Sequence, residues 1–324
     1  MNTAHGRSGD RVFAFVVMGV VLALIASMTF VGRTFAQDAT PAASEAPVSI
    51  APDLPTITVT ATETVYRVSV PAGGVVEGDF VVELVNETGN TIANANFVKL
   101  PEDVSVGDFS SVLSKSFKGQ GGELPAWWAD ANTEFVGGTF AAPGYTSQAI
   151  VTLSAGQWVI FSSNPAGAQP VQAISVAAPE AEEGAATPAA GATPVTEATP
   201  IGSGLPSDNQ ITITDSGFET ATAPAAGSQV WQVTNSTDQV RDMVVVKVEG
   251  EIDEAGATEL AAALSSGDTV NGLVVGGSGA LSPDRVGYAG LTLESGTYVV
   301  FSSMPDANGG LQSANGAVTI VTVP

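Results

Sequence analysis

The chain has 324 residues, of which 10 are basic and 33 acidic, so its formal net charge is -23. A chain this acidic lacks the clustered cations that nucleic acids and anionic membrane surfaces require, and we expect no nucleic-acid partner. It has no cysteine, and its one histidine is His5. This inventory excludes disulfides, thiolate chemistry, a Ser-His-Asp triad and the usual histidine- or cysteine-rich metal sites, so we predict neither an enzyme nor a cofactor.

The N-terminal segment predicts export. Residues 12–31 are apolar and uncharged and follow two arginines, as in a signal peptide, although the stretch is also long enough to span a bilayer. The sequence predicts cleavage between Ala36 and Gln37. We assign residues 1–36 to a signal peptide or membrane anchor and residues 37–54 to a disordered segment. Without cleavage, residues 12–31 would be the only membrane contact, and in both cases the rest of the chain is expected outside the cytoplasm, secreted or at the cell surface.

Residues 179–208 differ in composition from both flanks. They are rich in Pro, Ala and Thr and contain no aromatic side chain, which predicts a disordered linker. They separate a first domain, residues 55–178, from a second, residues 209–324. A flexible linker of this length predicts two domains that are tethered but not fused.

The two domains repeat each other in sequence. Residues 153–165 match residues 293–305 without a gap, and both stretches contain a Phe-Ser-Ser triplet. Asn86 also matches Asn235, and pairs of glycines match further along the chain. Because the offset between the matches drifts, we predict a duplicated domain with insertions in the loops of the first copy.

Within each domain the hydrophobic pattern has a period of two. Trp231 and Val233, for example, share one face of a predicted strand, as a strand with one buried side requires. Clusters of Gly, Pro and Asn interrupt the strands at the spacing typical of a β-sandwich. One helix is predicted in each domain, near residues 108–117 and near residues 254–265.

The order of motifs in the second domain resembles the cupredoxin superfamily. An opening strand with residues 215–218 is followed by a strand that ends in Asn235, by the glycines at 276 and 277, and by closing residues 293–302. The first domain resembles the family more loosely. The resemblance implies an all-β protein with two Greek-key β-sandwiches of the plastocyanin and azurin type, joined by the disordered linker and preceded by an N-terminal hydrophobic helix.

The same resemblance implies where a blue copper ion would be held. Copper-binding members use two histidines, a cysteine and a weak axial methionine. The matching positions of the second domain are occupied by Arg241, Ser302, Gln312 and Ala317, and in the first domain Ser162 replaces the cysteine. Since no soft ligand remains, the resemblance implies the scaffold without its metal and without electron transfer.

Trp127 and Trp128 are the candidate ligand-binding residues. Two adjacent aromatic side chains beside Asp130 could stack on sugar rings, whereas the structural alternative is that they cap the core beneath a long loop. Trp158 and Tyr298 occupy equivalent strand positions in the two domains, and we predict that both belong to the core.

The remaining motifs have structural interpretations. Asn86-Glu87-Thr88 and Asn235-Ser236-Thr237 match the glycosylation sequon, but an asparagine that hydrogen-bonds its own turn at a strand end explains both. The glycine pairs, including 137–138 and 276–277, are predicted to be turns. No acidic cluster has the spacing of a calcium loop, and no pair of carboxylates stands out as a glycosidase site.

These observations predict an exported, non-catalytic, copper-free binding or structural module of the cell envelope. Its partner would be an unknown envelope protein or a polysaccharide. Two alternatives stay open. One is a copper-binding or electron-transfer protein of the blue-copper type, and the other is a glycan-binding surface protein that uses Trp127 and Trp128.

Overall fold

The structure is a computed structural model, and it describes residues 49–117, 122–164, 170–179, 204–268 and 270–324. The predicted export segment, its cleavage position at Ala36 and Gln37, and most of the linker lie outside these residues. Within the described ranges, no helix is both long enough and apolar enough to cross a membrane.

Strands dominate both halves of the described chain. The elements of the first half are β1 (Thr56–Ala61), β2 (Tyr66–Ser69), β3 (Val75–Val76), β4 (Gly78–Asn86), β5 (Ala93–Lys99), α1 (Val106–Ser116), a 3-10 helix (Ala126–Ala129), β6 (Glu134–Ala141), β7 (Thr146–Leu153), β8 (Gly156–Phe161) and β9 (Val171–Ala177). Those of the second half are β10 (Asn209–Thr214), β11 (Gly217–Thr220), β12 (Gly227–Asn235), β13 (Arg241–Val248), α2 (Glu254–Ser266), β14 (Gly272–Leu281), β15 (Val286–Leu293), β16 (Gly296–Phe301), a 3-10 helix (Gln312–Asn315) and β17 (Val318–Val323).

The strands form two sheets, and each sheet runs through both halves. Sheet I has the order β11-β10-β12-β15-β7-β4-β1-β2, and sheet II has the order β17-β16-β13-β14-β6-β5-β8-β9-β3. Each half contributes four strands of sheet I, and β3 is the only strand of sheet II, among the residues described, without a counterpart in the other half. The predicted all-β class with two β-sandwiches is confirmed, since the described residues form two β-sheets with an apolar core between them in each half.

The two halves meet along a seam in both sheets. Strand β7 pairs antiparallel with β15, and β6 pairs with β14. At the centre of the first pairing Ala149 lies opposite Ala289, which is its equivalent in the other half, so an approximate twofold axis relates the halves. The prediction of tethered, unfused domains is therefore wrong. Domains that were only tethered would each have free edge strands here, whereas these edge strands are paired with each other.

The glycine pairs at 137–138 and 276–277 belong to this seam. They lie inside β6 and β14 and not in turns, which corrects the prediction. A Cβ atom on the second glycine of each pair would lie 1.8 Å from the carbonyl oxygen of Ala95 and 1.9 Å from that of Met243. The neighbouring backbone therefore approaches too closely for any side chain, and glycine is required inside a strand.

Each sandwich has its own core between the sheets, and equivalent aromatic residues occupy the two cores. Trp158 and Tyr298 are 0% and 1% exposed, as predicted. Trp158 donates a hydrogen bond from Nε1 to the carbonyl oxygen of Ser154 at 2.8 Å, and Tyr298 donates from its hydroxyl to that of Glu294, also at 2.8 Å. Each large side chain thus satisfies its polar atom at the same β-turn of its own half.

The two predicted helices are confirmed, and both cover the outer face of sheet II. Helix α1 begins at a capping box in which Ser105 and Asp108 exchange hydrogen bonds. Helix α2 begins after Asp253 and ends at Gly267, whose φ of 81° is the left-handed conformation that glycine accepts readily. Because the helices cover this face, the central strands of sheet II are buried on both sides.

The ends of the predicted disordered segment and of the linker pack over the seam on the outer face of sheet I. The amide of Ile50 donates to Gln148 Oε1 at 3.1 Å, and the amide of Leu205 donates to the hydroxyl of Tyr288 at 3.2 Å. Gln148 and Tyr288 are equivalent residues, so two twofold-related arms cover the seam. Ile50 and Leu205 both pack against one apolar cluster there.

Candidate functional site

The positions at which the resemblance places copper ligands lie at one end of the second sandwich. Ser302 follows β16, Gln312 begins the second 3-10 helix, and Ala317 precedes β17. The amide of Ser302 donates to the carbonyl oxygen of Ala317 at 3.1 Å, and Ser302 Oγ lies 2.7 Å from Gln312 Oε1. All three residues are buried, so the structure brings three of the four predicted positions together.

The side chain of Arg241, the fourth predicted position, does not join this group. Its guanidinium is directed to Asp215, at 3.8 Å. The neighbouring residue, Asp242, contacts Ser302 instead, since its Oδ1 lies 2.8 Å from Ser302 Oγ and accepts from the amide of Ser303 at 2.7 Å. Arg241 and Asp242 are both buried, so β13 places a cation and an acid side by side at this end of the sandwich.

Ser302 lies between Asp242 and Gln312. Gln312 Nε2 donates to the carbonyl oxygens of Val240 at 2.9 Å and Pro305 at 3.1 Å, which directs its Oε1 toward Ser302. The single hydroxyl hydrogen of Ser302 has two acceptors within reach, Gln312 Oε1 and Asp242 Oδ1. Asp242 also accepts from the amide and the hydroxyl of Ser303, so its carboxyl group links β13 to the segment that follows β16.

Burial dominates the electrostatics of the site. The side chain of Asp242 has no exposed surface, and burial raises the pKa of its carboxyl group, although hydrogen bonds from Ser303 and Ser302 act in the opposite direction. At the neighbouring position burial lowers the pKa of the Arg241 guanidinium, and the charge of Asp215 partly opposes this shift. A buried hydrogen-bonded network thus lies beside a partly buried ion pair.

The first half has the same arrangement with different residues. Asn94 stands at the position of Asp242, and its Oδ1 accepts from the amide of Ser163 at 2.8 Å. The hydroxyl of Tyr66 donates to the carbonyl oxygen of Asn94, and burial raises the pKa of Tyr66. Sequence reasoning missed both Asn94 and Asp242. The available signal was the polar residues at the start of β5 and β13, ahead of the apolar residues of the same strands.

The groups at these positions do not fit blue copper. They are a buried carboxyl group, a hydroxyl, an amide and a methyl group, and the first three are engaged with one another or with backbone groups. Copper of this type requires a thiolate and imidazoles. In the part of the chain that the structure describes, no group of three or more His, Cys, Asp or Glu side chains could hold a metal ion.

Trp127 and Trp128 lie elsewhere, on the outer face of sheet II in the first half. Trp128 is 3% exposed and stacks on Phe109, with the ring centroids 6.0 Å apart and an interplanar angle of 12°. Its ring also lies 5.0 Å from that of Phe135. Trp127 is half-buried and tilted against the same cluster. Of the two predicted ligand-binding residues, Trp127 is thus the one with exposed surface.

The asparagines of the two sequons hold turns, as the structural interpretation predicts. Asn235 Nδ2 donates to the carbonyl oxygens of Gln239 at 2.7 Å and Leu281 at 2.9 Å, while its Oδ1 accepts from the amide and the hydroxyl of Thr237. Asn86 makes the equivalent four bonds. The two asparagines are 0% and 1% exposed, so neither side chain is accessible in the folded protein.

No protein-family model and no curated protein matches the chain. Among solved structures, the chain is similar to reduced auracyanin from Roseiflexus castenholzii, with 23% identity, a TM-score of 0.26, and coverage of 38% of this chain and 96% of that one. It is also similar to Lac15 from a marine microbial metagenome, with 14% identity, a TM-score of 0.25, and coverage of 84% and 67%.

A third similar structure is the copper-containing nitrite reductase from Thermus scotoductus, with 12% identity, a TM-score of 0.21, and coverage of 83% of this chain and 61% of that one. All three likenesses are low in identity and in TM-score. We therefore transfer no activity, ligand or partner from these proteins.

Proposed function

We propose that the protein is an exported, non-catalytic binding module, built on a tandem cupredoxin-like scaffold that binds no copper. The position of the metal is taken by a network of buried hydrogen-bonding side chains, and the scaffold serves to hold a binding surface outside the cytoplasm. The apolar, uncharged stretch at residues 12–31 supports the proposed export.

The observation that carries this proposal is the saturation of the network. Asp242, Ser302 and Gln312 satisfy one another, and Gln312 is further held by two backbone carbonyls. A metal ion would have to displace these bonds, with no thiolate or imidazole to compensate. The arrangement therefore replaces the metal as a structural link between strands β13 and β16 and the closing loop.

Metal analysis tests the proposal. The full chain is purified from its native source, and its copper content is measured by mass spectrometry, together with visible absorption after addition of cupric ion. We expect less than about a tenth of a copper ion per chain and no strong thiolate-to-copper band. Stoichiometric copper, near one ion per sandwich, would overturn the proposal.

A variant that restores the ligands provides the positive control. The combined substitutions Arg241→His, Ser302→Cys, Gln312→His and Ala317→Met place the family's ligand types at the four positions that the resemblance gives. This variant should take up copper with a colour that the wild-type protein lacks. A second variant that keeps Ser302 and carries the other three substitutions should not develop this colour, because it has no thiolate.

We further propose that the module's partner is an envelope protein or a polysaccharide. The acidic surface argues against nucleic acid. In-cell crosslinking of the native protein followed by mass spectrometry identifies a protein partner. Retention on immobilised polysaccharides, compared between the wild type and Trp127→Ala, tests the glycan alternative, and equal retention would remove Trp127 from consideration.

A further inference from the structure

The outer face of sheet II is covered differently in the two halves. In the first half the connection from α1 to β6, residues 117–133, carries Trp127 and Trp128 back over the sheet, where their rings pack against those of Phe109 and Phe135. In the second half the connection from α2 to β14 is residues 267–271 and contains no aromatic side chain. The second half therefore lacks the groups that fill this space in the first.

The strands beneath the two helices also differ, and the side chain at the equivalent position is smaller in the second half. Val274 pairs with Val246 in the second half, and Phe135 pairs with the equivalent residue, Val98, in the first. Val274 thus stands where the first half has Phe135, which belongs to the aromatic cluster. A smaller side chain on the strand and a shorter connection above it leave a cleft instead of a filled core.

We propose that this cleft binds a small, uncharged, amphipathic molecule, an apolar body with one or two hydrogen-bonding groups. The cleft, called here the seam cleft, has a volume of about 350 Å³ and is lined by residues of both halves, among them Ile92, Asn94, Ser163, Leu264, Val274 and Phe301. This volume lies within the range of small-molecule sites. The inference rests on the proposed function, since it names the ligand class of a binding module.

The floor of the seam cleft is apolar. Phe140, Val244, Val274 and Phe301 project from the four neighbouring strands β6, β13, β14 and β16 and form one cluster, against which Leu264 of α2 packs. An apolar ligand body would be removed from water on this floor, and such burial is the main favourable term in binding a small molecule.

The wall of the seam cleft carries hydroxyl and amide groups. Asn94 and Ser163 come from the first half and Ser303 from the second, so both halves contribute polar groups to this wall. Ser265 also lines the cleft, and its buried hydroxyl has no hydrogen-bond partner within the described part of the structure. A buried hydroxyl without a partner is unfavourable, and a ligand with a polar group would satisfy it.

The charge around the seam cleft excludes an anionic ligand. No lysine or arginine is among its lining residues, and the one ionisable side chain there, Asp268, is exposed. The whole chain carries a formal charge of -23, so an anion would meet repulsion without a compensating cation. The polar groups of the wall are neutral, which favours a neutral ligand.

Binding of a fluorescent probe tests the inference. N-phenylnaphthylamine is uncharged and amphipathic, and its emission increases in an apolar site. We expect saturable binding of one probe per chain, with anilinonaphthalene sulfonate, its anionic analogue, bound at least about tenfold more weakly. Absence of saturable binding by the uncharged probe, or equal binding of the two probes, would overturn the inference.

A variant taken from the protein's own first half locates the site. Val274→Phe copies Phe135 into the second half and should fill the seam cleft, with a loss of probe affinity of at least about tenfold. Leu273→Phe is the matched control, because it adds the same side chain to the same strand at a residue that is 39% exposed and does not line the cleft. Its affinity should equal that of the wild type. Circular dichroism and thermal unfolding establish that both variants fold, and equal affinity of a folded Val274→Phe variant would contradict the proposed location.

The copper measurement on the same samples separates this inference from the proposed function. If the protein is free of copper and binds no probe, the seam cleft is not a binding site, and the proposed function is not contradicted. If the protein holds stoichiometric copper, the proposed function is contradicted, whether or not the probe binds.

Discussion

Asp242 is a carboxylic acid enclosed by hydroxyl, amide and backbone groups, and its environment makes the stability of the fold depend on pH. Burial raises the pKa of its carboxyl group in the folded state, so the folded protein binds this proton more tightly than the unfolded chain does. Between the unfolded pKa, about 3.9, and the raised folded pKa, this group's contribution to stability therefore falls as pH rises. At pH values above the folded pKa, the contribution of this group to stability no longer changes and the whole decrease remains.

We predict that Asp242→Asn, which copies Asn94 of the first half, removes this dependence. At low pH the variant and the wild type should be about equally stable. As pH rises above about 4, the variant should gain relative to the wild type by about 1.4 kcal/mol for each unit by which the folded pKa is raised. Urea unfolding of both proteins across a series of pH values measures this difference.

The control for this prediction is Asp103→Asn, which makes the same change in net charge at an exposed side chain. Its stability relative to the wild type should show no comparable trend. A constant difference between Asp242→Asn and the wild type at all pH values would mean that Asp242 has the same affinity for its proton in the folded and unfolded chains.

Asn235 is the second residue for which the structure predicts a measurable contribution to the free energy of unfolding. Its amide nitrogen serves the carbonyl oxygens of Gln239 and Leu281, which lie on two different segments. Asn235→Ala leaves these buried acceptors without their donor, and we expect a loss of about 2 to 4 kcal/mol in the free energy of unfolding, measured by urea denaturation. Ser236→Ala, an exposed change in the same turn, should lose less than about 0.5 kcal/mol. Similar losses in the two variants would contradict the structural role of Asn235.

At the level of the elements, the seam depends on backbone contact inside strands β6 and β14. Gly277 has a φ of 150°, and a Cβ atom there would overlap the carbonyl oxygen of Met243. We predict that Gly277→Ala costs at least about 3 kcal/mol, because the alanine is strained and strands β13 and β14 must separate. Gly73→Ala is the control, since it has open space and an ordinary φ. Thermal unfolding of the two variants checks the prediction, and a Gly277→Ala protein as stable as Gly73→Ala would contradict the strand contact.

The elements themselves were largely predictable, and their pairing was not. The period-two pattern at Trp231 and Val233 and the helices near residues 108–117 and 254–265 depend on nearby sequence, which reports directly which face is buried. The glycine pairs look like turns by the same local criteria. Their true role depends on the close approach of a distant strand, which no local pattern records.

The candidate site shows the same limit at finer resolution. Ser302, Gln312 and Ala317 lie together because they belong to one closing segment, whose backbone and side chains bond to one another. Asp242 was not singled out from the sequence, because its partners Ser302 and Ser303 lie about 60 residues further along the chain. No local pattern records a hydrogen bond between segments that are so far apart in sequence.

At the scale of the whole molecule, the seam joins the two halves into one folded unit. Strands pair across it in both sheets, and the apolar clusters under α1 and α2 each include residues of the opposite half, such as Val240 and Met304 in the first cluster. The seam cleft exists only because of this arrangement, since its walls come from both halves. Separate halves would lose the cleft and expose the edges of β6, β7, β14 and β15.

Cutting the chain between the halves tests this unity. A protease recognition sequence inserted after Gly191 allows cleavage of the folded protein, and we predict that the two fragments remain associated and elute together in size-exclusion chromatography. The reason is that the strand pairs and the shared apolar clusters do not depend on the connecting residues. Fragments that elute separately after cleavage of the unsubstituted protein would contradict the seam.

The specificity of this association is tested at the centre of the seam. Ala149 and Ala289 lie opposite each other and are 1% and 0% exposed. Replacing both by glutamate places two like charges in contact at a buried position, which is strongly unfavourable. The cleaved double variant should therefore separate into two fragments, while Ala149→Glu alone should weaken the association less. Co-elution of the cleaved double variant, with circular dichroism showing folded fragments, would mean that the halves are held together by contacts other than the pairing of β7 with β15.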